Sequence, residues 1–131
     1  MSTDSLSREI AKLATVLVGA GVPPRRVLVA ETDSVHRTVI GRLLERLGHE
    51  PELAADQEQA IRLAQSKHFD IILADIRMER FLETLRLGDN VASVVLLCDS
   101  DNGDSGFLER PVTAQKLIEW MEDAERNRPR P

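Results

Sequence analysis

Glu31, Thr32 and Asp33 stand together directly after the apolar run Val27-Leu-Val-Ala30. Asp75 closes a second such run, Phe69 to Ala74. Cys98 closes a third, Val91 to Leu97, and Arg110 follows a shorter one, Gly106 to Glu109. Each of these side chains has a definite chemistry. Carboxylates are the ligands that hard cations prefer, and a hydroxyl is a weak substitute. A guanidinium holds phosphate or carboxylate through two parallel hydrogen bonds. A thiol is a poor hydrogen bonder and most often a small buried hydrophobe. Plainer uses compete with these. Asp75 could cap the next loop, Glu31 could be a solvated loop acid, and Arg110 could serve a structural ion pair. Thr32 and Asp33 suit local capping better than ligation.

What brings such residues together is the order of elements. Residues 34–47 carry Val35, Val39, Ile40, Leu43, Leu44 and Leu47 at helical spacing, with Gly48 as a stop. Glu50 to Ala55 reads as a weaker strand. Residues 57–67, 79–87 and 113–126 read as amphipathic helices that turn Ala60 and Ile61, Phe81 and Leu85, and Leu117 and Met121 inward. Strands alternating with helices imply parallel βαβ units, and continuous apolar strands imply a sheet covered on both faces. The expected architecture is an α/β doubly wound parallel sheet of flavodoxin-like order 2-1-3-4-5. In such sheets chemistry gathers at the carboxyl ends of the strands, which are the positions of Glu31, Thr32, Asp33, Asp75, Cys98 and Arg110.

Ahead of this domain, residues 4–18 read as a helix with Leu6, Ile10, Leu13 and Leu17 on one face. Gly19-Ala-Gly21 and Pro23-Pro24 end it. The expected division is therefore a helix and linker over 1–24, a domain over 25–126, and a disordered tail over 127–131.

Composition narrows the function. The chain has 131 residues, 42% hydrophobic and 30% charged, which fits one domain with one core. A net charge of −5 and an aromatic content of 3% argue against direct nucleic-acid binding. One cysteine excludes an internal disulfide, and with three scattered histidines it cannot build a four-ligand zinc site. Neither a secretory signal nor a transmembrane run is evident, so a cytoplasmic protein is expected. Glu31-Thr-Asp-Ser34 lacks the glycines that a nucleotide or flavin phosphate loop needs after a first strand. The acids of 99–105 are out of register for a calcium loop.

Four segments resemble response-regulator receiver domains of two-component systems, the CheY-like family. They are Val27-Leu-Val-Ala-Glu-Thr-Asp-Ser-Val-His-Arg37, Arg46-Leu-Gly-His49, Phe69-Asp-Ile-Ile-Leu-Ala-Asp-Ile-Arg-Met78 and Phe107-Leu-Glu-Arg-Pro111. The resemblance covers roughly residues 25–126. It implies a non-enzymatic signalling module that takes a phosphoryl group from a phosphohistidine onto one aspartate with Mg²⁺. By position Asp75 matches the phosphoacceptor and Glu31 the first of two metal-holding acids. Arg77 would offer its backbone carbonyl to the metal. Arg110 stands for the phosphoryl-binding lysine, Cys98 for the switch Ser/Thr with Ser100 as a nearby substitute, and Phe107 for the switch aromatic. Thr32 stands where the second acid belongs, which predicts weak or absent Mg²⁺ binding. His36 matches a position that is polar in many receivers.

With no output domain after residue 126, a signal is expected to leave through contacts with a histidine kinase, a phosphotransfer protein or an effector. A phosphorylation-independent interaction module is the alternative. Asp99 to Ser105 has no apolar periodicity, so the helix between the fourth and fifth strands is expected to be shortened or missing. Seven extended residues span only about 23 Å. The crossover must then run nearly straight, or the last strand must be displaced. A straight crossover leaves sheet uncovered, a surface suited to a homodimer or to the helix 4–18. Replacing Ile10 and Leu13 together with Asp is therefore expected to change oligomeric state or stability. Unaltered sedimentation and unaltered thermal unfolding would refute that role for the helix.

Overall fold

A computed structural model describes residues 23–88, 92–99 and 107–126. The order of elements is β1 (Arg26–Ala30), α1 (Ser34–Arg46), β2 (Glu50–Ala54), α2 (Gln57–Ser66), β3 (Ile71–Asp75), α3 (Glu79–Leu87), β4 (Ser93–Cys98), β5 (Phe107–Glu109) and α4 (Ala114–Arg126). All strand pairs are parallel and the sheet runs β2-β1-β3-β4-β5, as the alternation of elements implied. β5 is in place, with Leu108 opposite Leu97 and Glu109 opposite Cys98. The expected N-terminal helix, the 99–105 crossover beyond Asp99 and the 127–131 tail lie outside the described residues.

Side chains alternate across each strand and so feed two cores. Val27, Val29, Ile71, Leu73, Val95, Leu97 and Leu108 pack with Ile40 and Leu44 of α1 and with Leu117 and Met121 of α4. Leu28, Ala30, Ile72 and Ala74 pack on the other face with Ala60 of α2, Phe81 of α3 and Met78. β3 is central and buried throughout, Asp75 included. β2 is an edge strand, which explains both its weak apolar signal and its tolerance of Pro51.

Helix ends fix the loops that matter. The Asp33 carboxylate accepts from the His36 N–H at 2.9 Å and starts α1 directly after Glu31. At the other end Gly48 has φ +89°, the left-handed cap that glycine adopts freely. Its N–H donates to Glu45 O and the His49 N–H to Leu44 O, at 3.0 and 2.9 Å. Gly41 lets α1 lie close on β2, since a Cβ there would come within 3.1 Å of Leu53 Cδ2.

His49, the residue before β2, is almost fully buried, and its Nδ1 accepts the Arg25 N–H at 3.0 Å. Burial and then the Arg25 charge push its pKa down, against a smaller pull from Glu125. Below the ordinary histidine value the unfolded chain binds a proton that the folded state resists. Stability at this site is thus present above about pH 6.5 and falls as pH drops through it. Denaturation midpoints at pH 7.5 and 5.5 (roughly one unit either side) should drop in the wild type and drop less in His49→Gln. Equal pH dependence in the two would refute the assignment.

Candidate functional site

Parallel strands end together, and here four of them deliver charged groups to one edge. Glu31 follows β1, Asp75 ends β3, Asp99 follows β4 and Arg110 follows β5. Glu31, Asp75 and Arg110 are all buried, with side-chain exposures of 0%, 1% and 5%. The Glu31 and Arg110 backbones extend the sheet by one step, through Glu31 N–H to Ala54 O at 3.1 Å and Arg110 N–H to Cys98 O at 2.8 Å. The Arg110–Pro111 peptide is cis.

Arg110 ties the edge together. Its Nη2 lies 2.5 Å from Glu31 Oε1 and 2.6 Å from Asp75 Oδ2, so one nitrogen bridges two buried carboxylates. Its Nε donates to the same Glu31 oxygen at 2.6 Å, and its Nη1 to Asp99 Oδ1 at 2.9 Å. Burial works against the charge of Arg110, but Glu31, Asp75 and Asp99 outweigh it and hold the group protonated.

A second guanidinium closes on Asp75 from outside. The Arg77 N–H donates to Asp75 Oδ1 at 2.8 Å, its Nε to the same oxygen at 3.0 Å, and its Nη2 to Oδ2 at 2.7 Å. Burial alone would raise the Asp75 pKa. The hydrogen bonds from Arg77, joined by the charge of Arg110, hold this carboxyl well below the usual range. Arg77 is 64% exposed, in contrast to Arg110.

The positions singled out in the sequence divide accordingly. Glu31, Asp75, Arg77 and Arg110 converge. Cys98 is buried beside them with its Sγ 4.0 Å from Leu108 O, pointing to the neighbouring strand. Thr32 is exposed and lines an open hollow of about 450 Å³ with Asp56, Gln57, Glu58 and Arg62. Asp33 is occupied as the α1 cap, and the His36 N–H that it accepts lowers its pKa. His36 Nδ1 lies 3.9 Å from Glu31 Oε1 without closing a hydrogen bond. The Phe107 side chain and Ser100 are outside the described residues. The Arg77 guanidinium and Asp99 were missed as site groups. A surface arginine and a loop aspartate give no signal on their own, and only their spacing from Asp75 and Cys98 hints at their reach.

A metal ion does not fit this arrangement. Glu31 and Asp75 are both committed to guanidinium groups. Among the described residues no cluster of three His, Cys, Asp or Glu side chains could hold an ion.

The receiver-domain model of response regulators matches residues 27–122 of this sequence. The chain belongs to the response regulator receiver domain family. It is 25% identical over 123 residues to the sensory/regulatory protein RpfC of Xanthomonas campestris, covering 79% of this chain and 17% of that protein. It is 31% identical over 113 residues to the response regulator MprA of Mycolicibacterium vanbaalenii, covering 75% of this chain and 49% of that one. The chain thus spans half or less of these relatives. Among solved structures it shares its fold with the receiver domain of the sensor histidine kinase PA1611 from Pseudomonas aeruginosa. The TM-score is 0.70 at 23% identity, over 79% of this chain and 99% of that domain. That domain was solved with magnesium coordinated in its active-site cleft.

In this receiver, removing Arg110 strands the buried carboxylate of Glu31 and leaves Asp75 to Arg77 alone. Arg110→Ala should cost about 3–5 kcal/mol of stability. The double variant Arg110→Met/Glu31→Met should recover a large part of it, because a pair replaced by apolar groups of similar size leaves no orphaned charge. Urea unfolding of the three proteins checks this. A loss below about 1 kcal/mol for Arg110→Ala would mean that water enters and the bridge is dispensable.

Proposed function

We propose that this chain is an atypical receiver of a phosphorelay, with Asp75 the phosphoacceptor, and that it signals through protein–protein contacts. The observation that carries the reading is the placement of Asp75. It is a carboxylate at the end of the central strand, held ionised, with the Arg110 and Arg77 guanidinium groups beside it. Both can pair with phosphoryl oxygens. In the reaction an Asp75 oxygen attacks phosphorus, the P–N bond of a phosphohistidine breaks as a P–O bond forms, and the leaving imidazole nitrogen takes up a proton. Oδ1 is the oxygen to free, because its one side-chain hydrogen bond comes from Arg77, which reaches solvent, while the Arg77 backbone N–H stays on it and steadies the carboxylate.

The remaining roles follow from position. Cys98 and Phe107 stand at the switch positions, Glu31 orients Arg110, and Arg77 approaches through its side chain more than through a carbonyl. The partners proposed are a histidine kinase or phosphotransfer protein and an effector, with a homodimer formed beside β4 or through the 1–24 segment. The exposed Val94 of β4 supports such a surface. Among the described residues no helix is long and apolar enough to cross a membrane, and a cytoplasmic location is proposed. The full saturation of Asp75 by guanidinium groups favours a second reading, a phosphorylation-independent interaction module.

Phosphoramidate labelling followed by intact mass separates the two. The first reading expects one alkali-labile, hydroxylamine-sensitive phosphoryl adduct, absent from Asp75→Ala. A wild type that takes no adduct while Arg77→Ala also stays unlabelled would leave the interaction module as the function.

A further inference from the structure

We propose that Arg110 is the resident cation of this receiver site: its guanidinium fills the place between Glu31 and Asp75 that a divalent ion would take, and excludes the ion. A hard cation joining two carboxylates must lie close to one oxygen of each, at about 2.0–2.1 Å for Mg²⁺. Arg110 Nη2 already lies between Glu31 Oε1 and Asp75 Oδ2, at 2.5 and 2.6 Å. An ion placed there would collide with this nitrogen.

Nor can the nitrogen easily withdraw. The side chain is 5% exposed, its backbone N–H is fixed to Cys98 O, and Asp99 holds Nη1. Arginine remains charged at any working pH, so the site never empties of positive charge. Together Arg110 and Arg77 bring to Asp75 the charge of one divalent ion. Hydrogen-bond donors aimed at developing negative charge can supply the stabilisation otherwise given by a metal. The missing acid at Thr32 then follows from the occupied site, since an acid there would have no ion to hold.

This inference rests on the phosphoacceptor reading for its use of Asp75, and metal binding tests it separately. MgCl₂ is titrated into wild type, Thr32→Asp and Thr32→Asp/Arg110→Lys while backbone amide NMR shifts are followed. Thr32 is exposed, and lysine keeps the buried charge while giving up the bonds that the guanidinium shares among Glu31, Asp75 and Asp99. Wild type and Thr32→Asp should give no saturable shift near Glu31 and Asp75 up to roughly 20 mM Mg²⁺. The double variant should saturate at least about tenfold more tightly. Saturation of wild type in the low-millimolar range, tight binding by Thr32→Asp alone, or silence of the double variant would each overturn the proposal.

Phosphoramidate labelling of wild type with and without Mg²⁺ gives the second arm. Equal rates within about twofold support guanidinium chemistry at Asp75, and a requirement for Mg²⁺ overturns it. If Asp75 takes no label in either buffer, the phosphoacceptor reading fails. The titration still decides whether Arg110 holds the cation's place.

Discussion

Two buried carboxylates cannot share a strand edge without a positive charge between them, and Arg110 supplies it. Glu31 and Asp75 lie at the carboxyl ends of two adjacent parallel strands, and each is closed off from solvent. Ionised and unpaired, each would carry a heavy desolvation cost. The guanidinium converts that liability into a bridge, and the rest of the edge is arranged to keep it there. The sheet hydrogen bonds at Glu31 and Arg110 set the two backbones, while the Asp33 cap turns the chain away into α1. The apolar faces of β1 and β3 keep water from beneath the pair.

Much of this was legible in the sequence, for physical reasons. β1 and β3 are buried on both faces and therefore appear as unbroken apolar runs, and β4 is equally apolar although Val94 on one of its faces is exposed. α1 announces both its ends, through Asp33 and Gly48. Boundaries blur where tertiary contacts replace pattern. Phe69 looks like the start of the third strand, yet it precedes β3 and packs into the second core. The Asp70 side chain accepts the Arg26 N–H at 3.0 Å while its own N–H donates to Arg26 O at 2.9 Å, so side chain and backbone share the start of the ladder. β4 likewise starts at Ser93, two residues after the apolar run begins. β5 is only three residues long, and its pairing with β4 rests on register that no local pattern expresses.

The site was readable in its positions and opaque in its bonds. The rule that strand ends carry chemistry selects Glu31, Asp75, Cys98 and Arg110 without any geometry. It cannot say that Arg110 turns inward onto two acids while Thr32 turns out. That outcome depends on the length of the side chain: a guanidinium reaches Glu31, Asp75 and Asp99 at once. It also cannot distinguish Arg77 from any solvated arginine, although that residue donates three hydrogen bonds to Asp75.

The difference between the two arginines bears on how such a site could respond to a signal. A bound metal ion can leave, and its occupancy follows its concentration. A buried guanidinium is tethered by the chain and does neither. Arg110 therefore fixes the charge of the inner site, and any change of state must pass through a group that can move. Arg77 is such a group, because its guanidinium reaches solvent while gripping both oxygens of Asp75. Its guanidinium makes no contact with the Glu31–Arg110 bridge, and its backbone N–H holds Asp75 Oδ1 whatever the side chain does. That guanidinium could pair with a phosphoryl oxygen as readily as with a carboxylate. The inner arginine is thus locked into the buried edge by Glu31, Asp75 and Asp99, and the outer one covers Asp75 from the solvent side.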